Sequence, residues 1–173
     1  MRYTILVFAG AAAAISVWPA SATMRITNDR GGRLTVYAER FEAARASGER
    51  VIIDGVCLSA CTLAIGMLPP GQVCATPNAV LGFHTAWRPT VNGGKVTSSA
   101  ATQAMYELYP PDVRDWIARR GGLSGRFIFL KGRELTAMVP ACDAGDALRS
   151  DPTTRTVRRD LPRRATLADQ KMR

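Results

Sequence analysis

The sequence predicts a single α/β domain with a layered fold, in which short parallel strands are joined by crossover helices. Apolar β-branched runs alternate with helical patterns along the chain, which is typical of this class. Gly, Pro and Asn punctuate the segments between them. The chain is also long enough to bury one hydrophobic core. Strand–helix–strand units of this kind are expected to connect by right-handed crossovers.

The first half of this domain is predicted from strong local patterns. Residues 24–27 form a short strand candidate, and Leu34, Tyr37, Phe41 and Ala44 recur at helical spacing until Ser47-Gly48. Residues 50–54 contain a β-branched run and predict a buried strand, followed by a turn at 55–58. A helix is predicted over 59–67, where Pro69-Pro70-Gly71 ends it.

The second half is expected to return to the sheet and then cover it with helices. Strands are predicted over 73–76 and 80–85, a loop over 88–95, and helices over 98–108, 111–120 and 133–138. Pro111 suits the first position of its helix. Residues 127–130 are apolar and ambiguous, and 139–142 are a possible last strand.

The first 22 residues predict a secretory signal. Arg2 precedes an apolar stretch at 5–17, and Ala20-Ser21-Ala22 supplies small residues at a cleavage site. This stretch is too short to span a bilayer, and no later segment approaches the required length. We therefore expect cleavage near Ala22, a periplasmic or secreted protein, and no transmembrane span in the mature chain. An uncleaved N-terminal anchor is the alternative.

The charge of the mature chain predicts a solvated basic surface. The formal charge is +8, which is the +9 of the whole chain less Arg2. The excess is dispersed, and no Lys/Arg stripe alternates with aromatic residues, so we expect no nucleic-acid partner. Residues 143–173 contain no aromatic residue and many charges, which predicts a basic, disordered C-terminal tail after a domain at 23–142.

The four cysteines, Cys57, Cys61, Cys74 and Cys142, all follow the signal. An even count in an oxidising compartment predicts two disulfides. A zinc site made of four thiolates is the alternative, but the spacings do not give the two close pairs of a structural zinc site. We expect no metal and no cofactor, and the residues alone leave three disulfide pairings open.

His84 is the only histidine in the chain, and it lies twenty-five residues after Ser59. Ser59 follows a strand and a turn and opens a predicted helix, whose N–H groups favour an oxyanion. A nucleophilic serine needs a base near neutral pH, and imidazole is the usual one. The alternative is a helix N-cap, because serine is a preferred capping residue.

The order and spacing of several segments indicate a family. These are Asn28-Asp29-Arg30-Gly31-Gly32 before a helix, Val51-Ile52-Ile53, Ser59 at a helix start, and Thr76-Pro77-Asn78-Ala79-Val80-Leu81-Gly82-Phe83-His84. The arrangement resembles the Clp-peptidase and crotonase superfamily over roughly residues 24–139. It is closest to small, exported, cysteine-bearing Clp-like proteins of bacterial envelopes.

The resemblance implies a role for each matching position. Ser59 would be the nucleophile, His84 its general base, and the backbone N–H groups of Gly31 and Ala60 the oxyanion hole. The implied activity is hydrolysis of peptide or acyl bonds, with a peptide or protein substrate and assembly into a homo-oligomer. The alternative is a catalytically inactive Clp-like fold that serves as a binding or assembly module in the envelope.

One position departs from the family pattern. The aspartate that orients the family's histidine falls at or next to Phe127, which cannot accept a hydrogen bond from an imidazole. Substitute acceptors are Asp112, Asp115, Glu134, Asp143 or a backbone carbonyl, and the sequence does not choose among them. A serine–lysine dyad is a weaker alternative, since Lys95 and Lys131 lie in no supporting motif.

The cysteines crowd the same region, and we expect Cys61 to pair with Cys74 and Cys57 with Cys142. This pairing would tie the helix to the returning strand and close the C-terminal segment over the site. Trp87, Arg88 and the following glycine loop are expected to line the path of a substrate.

Overall fold

A sheet of five strands organises the molecule, in a computed structural model that describes residues 22–143 and Asp146. In chain order the elements are β1 (Thr23–Asp29), α1 (Leu34–Ser47), β2 (Arg50–Leu58), a 3₁₀ helix (Ser59–Leu63), α2 (Ala64–Met67), β3 (Val73–Ala75), β4 (Val80–Phe83), β5 (Trp87–Pro89), β6 (Lys95–Thr97), α3 (Ser99–Leu108), α4 (Pro111–Arg119), β7 (Ile128–Lys131) and α5 (Gly132–Thr136). The predicted α/β class is confirmed.

Strand β2 is the centre of the sheet. It pairs in parallel with β1 on one side, and on the other side with β3 and then with β4. The first contact with β3 uses residues 51–53, and the later contact with β4 uses residues 56–58. Strand β7 then pairs antiparallel with β4 at the edge. The sheet is therefore largely parallel, as the sequence predicts, with one antiparallel edge.

Helices and sheet share one hydrophobic core. Phe41 of α1, the aromatic residues Phe83, Tyr109 and Trp116, and Leu130 of β7 are all at most 2 % exposed. The Phe83 ring meets the edge of Tyr109 at a centroid distance of 5.1 Å, a geometry that favours aromatic pairs. Tyr109 and Trp116 are therefore core residues.

Several predicted boundaries are wrong. The turn expected at 55–58 is part of β2, because residues 56–58 pair with β4. The helix expected over 59–67 begins as a 3₁₀ helix and continues as α2. The loop expected at 88–95 is shorter, because residues 88–89 and 95 belong to the strands β5 and β6 of an exposed hairpin and residues 90–94 connect them. Residues 139–142 contribute only a bridge between Ala141 and Ala75.

The disulfide pairing expected from the sequence is also wrong. The structure joins Cys57 to Cys61 and Cys74 to Cys142, with Cα–Cα distances of 5.3 Å and 4.9 Å. Cys74 lies opposite Ile52 on β2, five residues before Cys57. At about 3.3 Å per residue, Cys57 lies about 16 Å along the strand from the point opposite Cys74. Cys61 is only 5.3 Å from Cys57, so it lies beyond the limit of about 7 Å between Cα atoms that a disulfide with Cys74 needs. The Ala75–Ala141 bridge instead brings Cys142 beside Cys74.

Two predictions fall almost entirely outside the described residues. These are the signal at 1–22 and the basic tail at 143–173, of which the structure describes only Ala22, Asp143 and Asp146. Asp146 is 6 % exposed, and its carboxylate accepts a hydrogen bond from Arg50 at 2.7 Å. Within residues 22–143 and Asp146, no helix has the length and apolar content needed to cross a bilayer.

Candidate active site

Ser59 occupies a sharp turn between β2 and the 3₁₀ helix. Its φ angle is +56°, and it is the one non-glycine residue with positive φ among the described residues. An L-residue in this left-handed region costs about 1–2 kcal/mol. Such local strain is concentrated at functional sites. The N-cap of the 3₁₀ helix is Leu58, with no side-chain cap, so the Ser59 hydroxyl does not cap the helix.

His84 lies within hydrogen-bond distance of this hydroxyl. Its Nε2 is 2.8 Å from Ser59 Oγ. The sheet explains the meeting, because Leu58 and Gly82 are register partners on the parallel strands β2 and β4. The two strands end at the same edge of the sheet, where Ser59 follows β2 and His84 follows β4. A separation of twenty-five positions along the chain is therefore closed to direct contact by the pairing of the two strands.

The environment of His84 favours its neutral form. Partial burial, and secondarily the positive charge of Lys95, lower the pKa of the imidazole below its ordinary value of 6.5. Nε2 accepts the Ser59 proton only in the tautomer that carries its own proton on Nδ1. The pair is thus set up for proton transfer from Ser59 to His84 near neutral pH.

No carboxylate or backbone carbonyl among residues 22–143 and Asp146 accepts a hydrogen bond from the His84 ring. Three of the acidic residues considered above are engaged elsewhere: Asp112 with its neighbour's N–H, Glu134 with Arg120, and Asp143 with Arg50. Asp115 makes no hydrogen bond to the ring either. The Phe127 ring is what packs on the imidazole, at a centroid distance of 4.5 Å.

Gly31 approaches the serine turn closely. It has a φ of +75°, and a Cβ there would lie 2.7 Å from Ser59 Cβ and 2.5 Å from the Leu58 carbonyl oxygen. Only glycine allows the backbone to come this near. Ala60, the other predicted oxyanion donor, is buried at the second position of the 3₁₀ helix. The first N–H groups of a helix have no acceptor within it.

Asp29 controls the Gly31 turn, and sequence reasoning missed it. Its Oδ1 accepts hydrogen bonds from the Gly31 N–H at 2.8 Å and from the Tyr37 hydroxyl. Its Oδ2 faces Arg40 at 3.3 Å. The signal for this role was an aspartate two residues before a glycine, which is the pattern of an Asx-turn. The carboxylate thus occupies one of the two N–H groups assigned to the oxyanion hole.

Thr62 and Tyr109 hold the Ser59 backbone through two successive hydrogen bonds. The Thr62 hydroxyl donates to the Ser59 carbonyl at 2.7 Å, and the Tyr109 hydroxyl lies 2.7 Å from Thr62 Oγ1. Because the Thr62 hydroxyl donates its only proton to the Ser59 carbonyl, the Tyr109 hydroxyl must be the donor in the hydrogen bond to Thr62. Burial raises the pKa of Tyr109 and keeps that proton in place. Sequence reasoning did not predict this bond.

The two disulfides bear on the site differently. Cys57 and Cys61 flank the serine turn and are both fully buried, so their bridge closes the backbone around Ser59. Cys74, Cys142 and Asp146 bring two sulfurs and a carboxylate together. The two sulfurs are bonded to each other and are therefore not thiolate ligands in this state.

Comparisons with known proteins find similarity among solved structures. No protein-family model matches the chain, and no curated protein matches it. Among solved structures, a mutant of ClpP1 from Listeria monocytogenes is similar, with a TM-score of 0.33 and 10 % sequence identity. The match covers 67 % of this chain and 86 % of that chain. A TM-score of this size does not assign the chain to a family.

Proposed function

We propose that this chain is a serine hydrolase that cleaves peptide or acyl bonds, with Ser59 as the nucleophile and His84 as the general base. One observation carries the proposal: a serine at positive φ has its Oγ 2.8 Å from Nε2 of the chain's only histidine. Two other features support it. The Thr62–Tyr109 network fixes the serine backbone, and the Gly31 backbone lies directly beside it.

The reaction would proceed by acyl transfer. Ser59 Oγ attacks the substrate carbonyl carbon while its proton moves to His84 Nε2. The tetrahedral oxyanion would be stabilised by the Ala60 N–H, and by the Gly31 N–H once Asp29 releases it. His84 then gives its proton to the departing amine or alcohol as the bond to the carbonyl carbon breaks. Water, activated by His84, hydrolyses the acyl-serine ester and restores the pair.

The decisive experiment is labelling of the purified, oxidised mature protein with a fluorophosphonate. We expect the wild type to be labelled and Ser59→Ala and His84→Ala to be unlabelled. Ser99→Ala is the matched control, because Ser99 is exposed at the start of α3, and it should be labelled like the wild type. A folded wild type that does not react would rule out the hydrolase.

A second candidate function is an inactive binding or assembly module of the envelope. It is favoured by two observations: His84 has no acidic partner among the described residues, and Asp29 occupies the Gly31 N–H. Absence of labelling, together with unchanged folding of the Ser59→Ala variant, is the result expected for this alternative. Sedimentation of the purified protein would test the self-association that the family resemblance implies.

Export is part of the proposal. The sequence of residues 1–22 supports it, and so do the two disulfides, since such bridges persist in oxidising compartments. Expression in a bacterial host with cell fractionation should give an extracytoplasmic protein whose intact mass corresponds to a chain that begins near Thr23. A cytoplasmic, full-length product with reduced cysteines would contradict export.

A further inference from the structure

The ring of Phe127 is the group that packs against the candidate base. It meets the His84 imidazole at a centroid distance of 4.5 Å and an interplanar angle of 56°. The only hydrogen bond that any described residue makes to this imidazole is the one from Ser59. A single hydrogen bond leaves the imidazole free to pivot about it, so packing must supply the remaining restraint.

Phe127 is itself held in place by the sheet. Its ring stacks on Phe129 of β7 at 5.8 Å, with an angle of 24° between the planes. Both rings lie over Gly82, where an added Cβ would come within 3.2 Å of each ring and 2.4 Å of Leu58. Gly82 precedes His84 by two residues and pairs with Phe129 across β4 and β7. The missing side chain at Gly82 thus lets the two rings seat on the strand that leads to His84.

The position of Phe127 is not explained by core packing. The side chain is 39 % exposed, and Phe129 is 45 % exposed, whereas the core aromatic residues Phe83 and Tyr109 are at most 2 % exposed. The contacts of Phe127 with His84 and with the Phe129 ring therefore indicate a role at the site and not in the core. Its face displaces water from the imidazole and offers no acceptor for a ring proton.

We propose that Phe127 is the positioning residue of His84, and that it holds the neutral imidazole against Ser59 by packing instead of by a hydrogen bond. This role rests on the proposed hydrolase activity, which would then operate as a serine–histidine dyad. The cationic group that acts on the same ring is Lys95 of β6, whose charge opposes protonation of His84. Lys95 is retained in every variant below.

The single histidine makes a direct test possible, because the ring C–H signals of His84 are the only histidine signals in the NMR spectrum of this chain. The variants are Phe127→Leu, which removes the ring, and Phe127→Tyr, which keeps it. Phe129→Leu is the matched control, since it removes the neighbouring ring of the same stack. Each is titrated by NMR and labelled with a fluorophosphonate over a range of pH.

We expect Phe127→Leu to raise the pKa of His84 toward 6.5 and to slow labelling by about 10- to 100-fold, as expected for a misplaced catalytic group. The midpoint of its pH–rate profile should rise with the pKa. Phe127→Tyr should keep the wild-type titration and most of the labelling rate, and Phe129→Leu should change both less than Phe127→Leu does.

The two proposals fail in different ways. If the wild type is labelled and Phe127→Leu changes neither the His84 titration nor the labelling rate, the positioning role is wrong and the hydrolase stands. If neither the wild type nor any variant is labelled but Phe127→Leu still raises the pKa of His84, the hydrolase proposal is wrong and only the packing role is retained. Because each of the three variants keeps a large side chain at a half-exposed position, a thermal unfolding curve suffices to show that they fold.

Discussion

The Gly31 N–H donates a hydrogen bond to the Asp29 carboxylate at 2.8 Å, directly beside the Ser59 turn. One of the two N–H groups that could stabilise an oxyanion is therefore already engaged by an internal anion. A substrate that uses this donor must displace the carboxylate or work against its charge. The hydrogen bond between Asp29 and Gly31 would therefore slow any acyl transfer that depends on the Gly31 N–H.

Two replacements of Asp29 should separate the effect of its charge on the reaction from the effect of its hydrogen bonds on stability. Asp29→Asn keeps an oxygen that accepts from Gly31 and removes the negative charge, so we expect fluorophosphonate labelling about fivefold faster, from about 1 kcal/mol of lost repulsion. Asp29→Ala loses the acceptor for Gly31 and Tyr37 and should cost about 1–3 kcal/mol of unfolding free energy. Unchanged labelling in Asp29→Asn would show that the charge does not oppose the reaction.

The positive φ of Ser59 predicts that the nucleophile is kept at the expense of stability. Ser59→Gly removes the Cβ from a left-handed position, whereas Ser59→Ala retains it. Neither variant should be labelled by a fluorophosphonate. The unfolding free energy of Ser59→Gly should be about 1 kcal/mol higher than that of Ser59→Ala. Urea denaturation of the two variants measures this difference, and equal stabilities would show that the turn is unstrained.

The hydrogen-bonded chain from Tyr109 through Thr62 to the Ser59 carbonyl can be tested by a double-mutant cycle. Thr62→Val leaves the buried Tyr109 hydroxyl without its partner and should cost about 1–3 kcal/mol. Tyr109→Phe removes only one donor and should cost less. The double variant should be more stable than the sum of the two losses predicts. Additive losses would mean that the two hydroxyls do not interact.

The two disulfides should contribute unequally to stability. By the loop-entropy relation, closure of the 68-residue separation between Cys74 and Cys142 stabilises by about 4 kcal/mol, and the four-residue separation between Cys57 and Cys61 by about 2 kcal/mol. The paired variants Cys74→Ala/Cys142→Ala and Cys57→Ala/Cys61→Ala test this order by denaturation. Peptide mapping without reductant checks the pairing itself, and a Cys61–Cys74 peptide would contradict it.

His84 should make stability depend on pH in a definite direction. Because its pKa is lowered in the folded state, the unfolded chain binds more protons between the folded value and about 6.5. The contribution is therefore fully present above about pH 6.5 and is lost as the pH falls through the folded pKa. The difference in unfolding free energy between wild type and His84→Gln isolates this effect. It should shrink on acidification, and a constant or growing difference would contradict the lowered pKa.

The sequence predicted the parallel core from strong local patterns, the β-branched run at 51–53 and the helical spacing from Leu34 to Ala44. The Ser59–His84 pair was predicted from the single histidine and from the spacing of the family motifs instead, since the part of β2 that pairs with β4 was expected to be a turn. Phe127 was placed at the position of the missing acid by alignment alone, and the structure puts its ring against the imidazole.

Features that depend on pairing were not predictable in the same way. The switch of β2 from β3 to β4 decides where Cys74 lies, and no local pattern in residues 50–58 encodes it. The Asx-turn of Asp29 has a local signal, but its place beside the serine depends on the approach of Gly31 to Ser59. The hairpin of β5 and β6 has exposed residues throughout, so it lacked the alternating burial by which a strand is recognised.

The hairpin of β5 and β6 is also expected to open locally far more often than the core of the sheet. Every residue of β5 and β6 is exposed, while residues 51–53 of β2 are fully buried and paired on both sides. Exposed segments with few buried contacts exchange their amide hydrogens through local opening, and core strands exchange only when the whole protein unfolds. The chain after His84 is therefore expected to open and close many times during the lifetime of one folded molecule. The strand that leads to Ser59 is expected to stay closed throughout, so the hairpin and the backbone before Ser59 are expected to open on different timescales.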